Sequence, residues 1–335
     1  MPDAPIAFVT GATGFVGSHL AETLRDRGYA VRALVRSDPK WAAGTGAETV
    51  RGDLGDAAAL AEGVRGAALV AHVAGLTRAR DQATLDRANV EGTENVLRAV
   101  RAEAERTGAA PRVLVTSSLE AMGPNALGPD GLPEPATEAD PLRPVSMYGV
   151  SKARMEDTVR RDFADLGAVV VRPPAVYGPR ESDIFEMIKG ASRGLFPVVG
   201  DPDVPRVSLV NVRDLVRGMA DLVQSDVAQG ETFLVGTRGY SWAEVQRAVE
   251  AALGRRTLRL RVPGGVIGAV GALAERVGGL VGTLPPLTRD KAEAARHAWV
   301  CDSSKAAEAV GYAPEVGLGE GMAETVGWYR EAGWL

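Results

Sequence analysis

The chain of 335 residues is 45% hydrophobic, 24% charged and 5% aromatic, enough apolar material for one large core or two unequal ones and too balanced for a disordered, collagenous or disulfide-stapled protein. Its 38 basic and 43 acidic side chains leave a net charge of −5, which gives no reason to expect nucleic acid or an anionic membrane as a partner. The lone cysteine, Cys301, and three scattered histidines exclude an internal disulfide and a Cys/His metal cluster, so a small-molecule substrate, no bound metal and a reducing, cytoplasmic location are expected.

The run Ile6-Ala7-Phe8-Val9 predicts a strand at 5–10 and carries no basic flank or cleavage site, so no signal peptide is expected. Thr10-Gly11-Ala12-Thr13-Gly14-Phe15-Val16-Gly17 leads from that strand into a helix predicted over 15–27. Gly11 allows the tight turn, Gly14 lets backbone approach a pyrophosphate, and Gly17 lets helix pack on strand. Unpaired N–H groups at the helix start, with the positive end of its dipole, complete an anion cradle. The glycines are spaced three and three, unlike the two-then-three order of the familiar dinucleotide fingerprint.

A second strand at 30–35 ends at Arg36, with Ser37 next and no carboxylate before Asp38. In dinucleotide folds an acidic residue here binds the ribose 2′-hydroxyl of NAD, whereas an arginine accommodates the 2′-phosphate of NADP. A guanidinium fork suits a phosphate dianion, so NADP is expected in preference to NAD. Strands at 48–51, 67–73, 111–116 and 168–172 then alternate with helices at 56–64, 82–107 and 147–166, the pattern of an α/β doubly wound parallel sheet. Tyr148 and Lys152 lie four residues apart in the last of these helices and stack on one face. A free tyrosine is a poor acid–base group at neutral pH, and a nearby ammonium favours its phenolate.

After about residue 173 the alternation loosens into Pro/Gly-punctuated segments such as 196–205. Residues 1–173 are expected to form the nucleotide-binding domain and 174–335 mainly a smaller, mixed C-terminal substrate lobe. The stretch 207–240 should return to the first domain through a helix at 211–224 and a strand at 231–235. Val262 to Leu284 is apolar but interrupted by Glu275 and Arg276, too broken for a membrane span. It reads as a packing helix or, less readily, an interfacial one.

The loop Thr10-Gly11-x-x-Gly14-x-x-Gly17, the pair in Tyr148-Gly-Val-Ser-Lys152 and the turn Arg172-Pro-Pro-Ala-Val-Tyr-Gly-Pro-Arg180 together resemble the extended branch of the short-chain dehydrogenase/reductase superfamily, also described as the NAD-dependent epimerase/dehydratase superfamily. The resemblance implies a Rossmann-type NAD(P) domain followed by a smaller substrate lobe. It implies cofactor contacts from Gly11, Thr13, Gly14, Phe15 and Val16, from Asp53 and Leu54 at an adenine-contacting turn, and from Ala74 and Gly75 at the end of the fourth strand. Asn89 in Asn-Val-Glu-Gly-Thr, Tyr148, Lys152, Pro174 and Val176 complete the cofactor set. The family's catalytic hydroxyl lies five positions before a glycine, which selects Ser118 ahead of Gly123 and leaves Ser117 as the second choice.

The mechanism so implied is hydride transfer between nicotinamide and a secondary alcohol or ketone carbon. Tyr148 moves the proton, Ser118 polarises the oxygen, and Lys152 also orients the nicotinamide ribose. Glu120, Tyr177, Arg180 and Arg206 are the expected substrate contacts. Ser117-Ser118-Leu119 lacks the acidic pair of sugar-nucleotide 4,6-dehydratases. The surrounding sequence resembles the 3β-hydroxysteroid dehydrogenase and dihydroflavonol-reductase-like group, as do Pro285-Pro-Leu-Thr-Arg289 and Gly311-Tyr-Ala-Pro314. A hydrophobic, steroid- or flavonoid-like substrate is therefore expected. One alternative is a nucleotide-sugar epimerase with tightly bound NAD, using Arg180, Arg193 and Arg206 for the diphosphate, and another is a non-catalytic NADP-sensing module. The helices at 82–107 and 147–166 correspond to those that pair in family dimers, so a homodimer is expected.

Overall fold

A computed structural model of the protein describes residues 4–263 and 289–335. In chain order its first half runs β1 (Ile6–Thr10), α1 (Phe15–Asp26), β2 (Ala30–Val35), β3 (Glu48–Arg51), α2 (Ala57–Val64), β4 (Ala67–His72), α3 (Gln82–Asp86), α4 (Gly92–Thr107), β5 (Arg112–Thr116), α5 (Met147–Asp162) and β6 (Val169–Arg172). The second half runs β7 (Ala175–Tyr177), α6 (Asp183–Ser192), β8 (Leu195–Val199), β9 (Pro205–Asn211), α7 (Val212–Gln224), β10 (Thr232–Leu234), β11 (Gly239–Ser241), α8 (Trp242–Leu253), β12 (Leu258–Val262), α9 (Arg289–Ala294), α10 (Ser304–Val310) and α11 (Leu318–Glu331).

Seven strands form one parallel sheet in the order β10-β6-β5-β4-β1-β2-β3. Runs such as Ala7-Phe8-Val9 and Val113-Leu114-Val115 are fully buried, as expected of strands covered on both faces. Leu20 and Leu24 of α1 join Leu215, Met219 and Leu222 of α7 in the core on one face. Leu60, Leu97, Val100 and Met155, from α2, α4 and α5, build the core on the other. This is the doubly wound, Rossmann-type arrangement, and the seventh strand comes from residues 232–234, far along the chain.

Strand order reverses at β1, with β2 and β3 on one side and β4, β5 and β6 on the other. The crevice beyond the carboxyl ends of β1 and β4 is therefore the topological switch point, where open α/β sheets bind ligands. The helical path from 82 to 107 is continuous but contains one wide π turn at Arg87–Glu91, which carries Asn89.

The smaller lobe is mixed: β7 pairs parallel and β11 antiparallel with β9, while β8 and β12 form a separate parallel pair. Phe196, Leu209, Val249, Met322 and Tyr329 lie in its core. The helix predicted at 147–166 stops at Asp162 and continues as a separate 3₁₀ turn at Ala164–Leu166. Of the predicted helix at 262–284, Val262 ends β12 and Pro263 follows it; the remainder, with Pro285 to Thr288, lies outside the described residues. Among the described residues no helix is long and apolar enough to cross a membrane.

Candidate active site

Gly11 adopts φ +80°, and a Cβ there would lie 2.6 Å from the Ala74 backbone nitrogen. A Cβ on Gly17 would lie 2.2 Å from the Gly11 carbonyl oxygen. Both positions are thus closed to any side chain, and the loop is clamped between β4 and α1. Gly14 caps α1 in extended backbone without a side-chain hydrogen bond, and it donates its own N–H to Gly11 O at 2.9 Å. The first turn of α1, at Phe15 and Val16, therefore keeps its helix-terminal donors for a ligand at the switch point. Thr13 is half-buried on the same loop.

Arg36 is exposed where β2 ends, and Arg51 donates to Ser37 O, bracing the turn that follows. Asp53 stands beyond the neighbouring strand β3, its carboxylate accepting from Gly55 N at 2.8 Å. The Leu54 carbonyl accepts from Asn95 Nδ2 at 2.9 Å, and its side chain packs against Gly92. All of these groups lie along the carboxyl edge of the sheet. This glycine cradle with an uncapped helix start fits a dinucleotide; Gly11, Gly14, Phe15 and Val16 would hold its pyrophosphate.

The ends of β1 and β4 are joined by a hydrogen-bond chain whose direction is fixed. Thr93 Oγ donates to Asn89 O at 2.6 Å, so it accepts from His72 Nε2, 2.9 Å away. His72 Nδ1 is then bare and accepts from Thr10 Oγ at 2.7 Å, and Thr10 Oγ accepts from Ala74 N at 3.3 Å. Burial, with the Lys152 charge adding to it, lowers the His72 pKa to about 3, so the imidazole is neutral. The cofactor contacts expected at the end of this strand were Ala74 and Gly75, and His72 was not among them.

Asn89 is fully buried and its amide is fully used. Nδ2 donates to Leu76 O at 2.9 Å and Ser151 Oγ at 2.8 Å, and Oδ1 accepts from Leu76 N at 2.8 Å. It clamps the segment after β4 to α5. Gly75 passes through the gap, where a Cβ would lie 2.8 Å from Asn89 Oδ1 and 3.5 Å from Lys152 Nζ.

Ser118 follows β5 and caps a short 3₁₀ turn, Leu119–Ala121, accepting from Glu120 N at 3.1 Å. Its hydroxyl is hydrogen-bonded to the phenol of Tyr148 in the first turn of α5. Lys152, one turn further on, is buried and donates from Nζ to Thr116 O at 2.7 Å. The three residues proposed for chemistry are thus assembled beside the switch point. Burial pushes the Tyr148 phenol up from its ordinary value, the Glu120 carboxylate pushes it further, and the Ser118 hydrogen bond pulls it down. Burial lowers Lys152 to about 8, partly offset by the Glu156 carboxylate.

Glu120 also accepts from Ser146 Oγ at 2.6 Å. Glu120, expected as a substrate contact, is the carboxylate next to Ser117-Ser118-Leu119. Leu119 itself is buried and apolar, so no pair is formed there.

Ser117 is buried and donates to Glu156 Oε1. Glu156 receives Arg172 Nε at 2.9 Å and Nη2 at 2.6 Å, and both side chains of this pair are nearly inaccessible, at 3% and 5%. The ion pair sits beneath the site and joins the ends of β5 and β6 to α5. Its signal in the sequence is Glu156 four residues beyond Lys152 on the same helix face, which the motif reading passed over.

Pro174 is buried against Gly236, and half-buried Val176 packs on the main core. Tyr177 is 1% exposed in the core of the smaller lobe, where its phenol is pressed against Gly321 beside Asn211. Arg180 adopts φ +74° and donates to Ser18 Oγ at 2.9 Å and Glu22 Oε1 at 2.8 Å on α1, with its guanidinium over Trp41. Arg206 is half-buried on β9 beside Gly200. The structure thus uses Tyr177 and Arg180 to pack the lobe and bind it to α1. Among the described residues no group of three His, Cys, Asp or Glu side chains could hold a metal ion.

The parallel sheet, glycine cradle and Ser-Tyr-Lys cluster define a dinucleotide-dependent oxidoreductase fold. The chain belongs to the NAD dependent epimerase/dehydratase family, whose sequence pattern matches residues 7–236, and is an oxidoreductase within it. It is 34% identical to the ceramide reductase of Caulobacter vibrioides over 98% of this chain and 96% of that one. It is 27% identical to a 3 beta-hydroxysteroid dehydrogenase/Delta 5-->4-isomerase of Mycobacterium tuberculosis, over 76% of this chain and 71% of the other. The crystal structure of gox2253 superimposes with a TM-score of 0.78 at 29% identity, covering 99% of both chains.

Proposed function

We propose that this protein reduces a ketone on a hydrophobic, lipid-like substrate to a secondary alcohol, and runs the reverse reaction when the alcohol is in excess. The observation that carries this reading is the hydrogen-bonded Ser118–Tyr148 pair, with buried Lys152 one turn away, beside the ligand crevice of a doubly wound sheet. The nicotinamide cofactor, when bound, supplies or accepts the hydride. Tyr148 donates the phenolic proton to the carbonyl oxygen as it gains charge, and Ser118 donates a hydrogen bond to the same oxygen. Lys152, with Nζ on Thr116 O at the end of β5, is the residue that would orient the nicotinamide ribose. The Thr10–His72–Thr93 chain keeps the ends of β1 and β4 in register beneath the cofactor.

NADP is the preferred partner in this reading, because Arg36 ends β2 with no carboxylate before Asp38. A lipid-like substrate is supported by the name of the ceramide reductase relative. The sugar-diphosphate alternative finds less support, since the Arg180 guanidinium is already engaged by Ser18 and Glu22.

The test is loss of NADPH absorbance with a panel of long-chain keto lipids, ketosteroids, flavanonols and simple ketones. Turnover with an apolar ketone is expected, and Tyr148→Phe should cut kcat by about 10²–10⁴ while leaving cofactor affinity unchanged. Wild-type turnover in Tyr148→Phe, or turnover only of nucleotide sugars with retained cofactor, would overturn the proposal.

A further inference from the structure

The parallel pairing of β8 with β12 sets Leu258 beside Leu195, Leu260 beside Pro197 and Val262 beside Val199. Alternation along β8 turns Phe196 and Val198 into the core of the smaller lobe, where both are buried. The other face of the pair is therefore also apolar, and none of the described residues covers it: Leu258 is 64%, Leu195 45% and Leu260 39% exposed. A contiguous apolar face of this kind marks an interaction surface.

One end of it is basic. Arg193, Arg255 and Arg256 are exposed where β8 and β12 begin, Arg261 lies beside Val198 on the opposite face, and exposed Asp201 and Asp203 follow β8 at the far end. Arg255 donates to Ser192 O at 2.6 Å, a neutral partner. Glu250, in α8, is held by Thr257 N and Oγ1, each at 2.7 Å. Three exposed arginines are thus gathered at one end of an apolar face, on a chain whose net charge is −5.

We propose that the β8–β12 face docks on the surface of an anionic phospholipid bilayer. Leu195, Leu258 and Leu260 enter the boundary between headgroups and acyl chains, and the arginines reach headgroup phosphates while their stems lie along the apolar face. Self-association through the same face fits less well, because a two-fold contact sets the same arginines of both copies against one another. The inference stands apart from the catalytic reading, which rests on residues of the sheet edge and α5.

Sedimentation of the full chain with phosphatidylcholine vesicles, with and without phosphatidylglycerol, tests it. Binding is expected only to vesicles containing phosphatidylglycerol, and is expected to fall as salt is raised. Arg193→Gln/Arg256→Gln should weaken partitioning about 25-fold, near fivefold per arginine. Leu258→Ser/Leu260→Ser should weaken it about tenfold or more. Both variants alter exposed side chains and should keep the wild-type melting temperature and mass, and the wild-type rate of NADPH consumption with a water-soluble ketone. No binding to anionic vesicles at low salt, equal binding to both kinds, or unchanged binding in the variants would overturn the docking proposal. So would a fall in solution mass of the leucine variant, which would assign the face to self-association. Turnover without vesicles reads the catalytic proposal separately.

Discussion

Gly149 in α5 lies so close to the carbonyl oxygen of Glu120 that a Cβ on it would stand 2.3 Å away. Ser146 fastens the same junction, accepting from Gly149 N at 2.9 Å and donating to Glu120 Oε2 at 2.6 Å. Ser118 begins the turn on one side of this contact and Tyr148 precedes Gly149 on the other. The spacing of the two reacting hydroxyls is therefore set by backbone packed on backbone, which a flexible side chain cannot absorb.

Gly149→Ala should consequently harm activity although alanine is the better helix former by about 1 kcal/mol. The overpacked junction should cost about 1–3 kcal/mol of stability. A displacement of the Tyr148 turn should lower kcat by about 10²-fold. Cofactor affinity, set at the glycine loop, should stay near wild type. Thermal melts, single-substrate kinetics and cofactor titration check each part.

The buried pair of Glu156 and Arg172 should respond unequally to single and double replacement. Glu156→Leu leaves a guanidinium buried without its partner and should cost about 3–5 kcal/mol, whereas Glu156→Leu/Arg172→Met should recover most of that loss. Chemical denaturation of the three proteins measures it. A double variant no more stable than the single one would show that the charge pair is not what the site needs.

His72 makes the protein sensitive to acid. Its folded pKa of about 3 lies below the unfolded value of 6.5, so between those values the unfolded chain binds the extra proton. The contribution is intact above about pH 6.5 and is lost as pH falls toward 3, at up to about 1.4 kcal/mol per pH unit. His72→Gln has no such proton to take up and should show a flatter loss of stability between pH 7 and pH 5 in denaturant titrations, whatever its stability at neutral pH.

Arg36→Ala should weaken NADP binding by about tenfold or more, the loss of a charge-assisted contact to phosphate. NAD binding should change by much less. Dissociation constants for both cofactors, measured on wild type and variant, decide it, and an unchanged NADP affinity would remove Arg36 from the assignment.

The alternation of apolar strand runs with amphipathic helices determined the doubly wound sheet, because period and length are local properties that survive in any fold that buries those faces. The loop from Gly11 to Gly17 and the Tyr148–Lys152 spacing were legible for the same reason: each is a pattern of near neighbours along the chain. Tyr177 and Arg180 carried just as strong a motif, yet their surroundings come from β9, α11 and α1, and only the tertiary structure placed the phenol in a core and the guanidinium on Ser18 and Glu22. The links from His72 to Thr10 and Thr93, and from Glu156 to Arg172 and Ser117, were likewise hidden, since a polar side chain gives no local sign of which distant strand end will satisfy it. The charge of the molecule shows the same division. Composition determined a net negative chain, and only the pairing of β8 with β12 set Arg193, Arg255 and Arg256 at one end of a shared apolar face, because pairing between strands far apart in sequence decides which side chains share a surface.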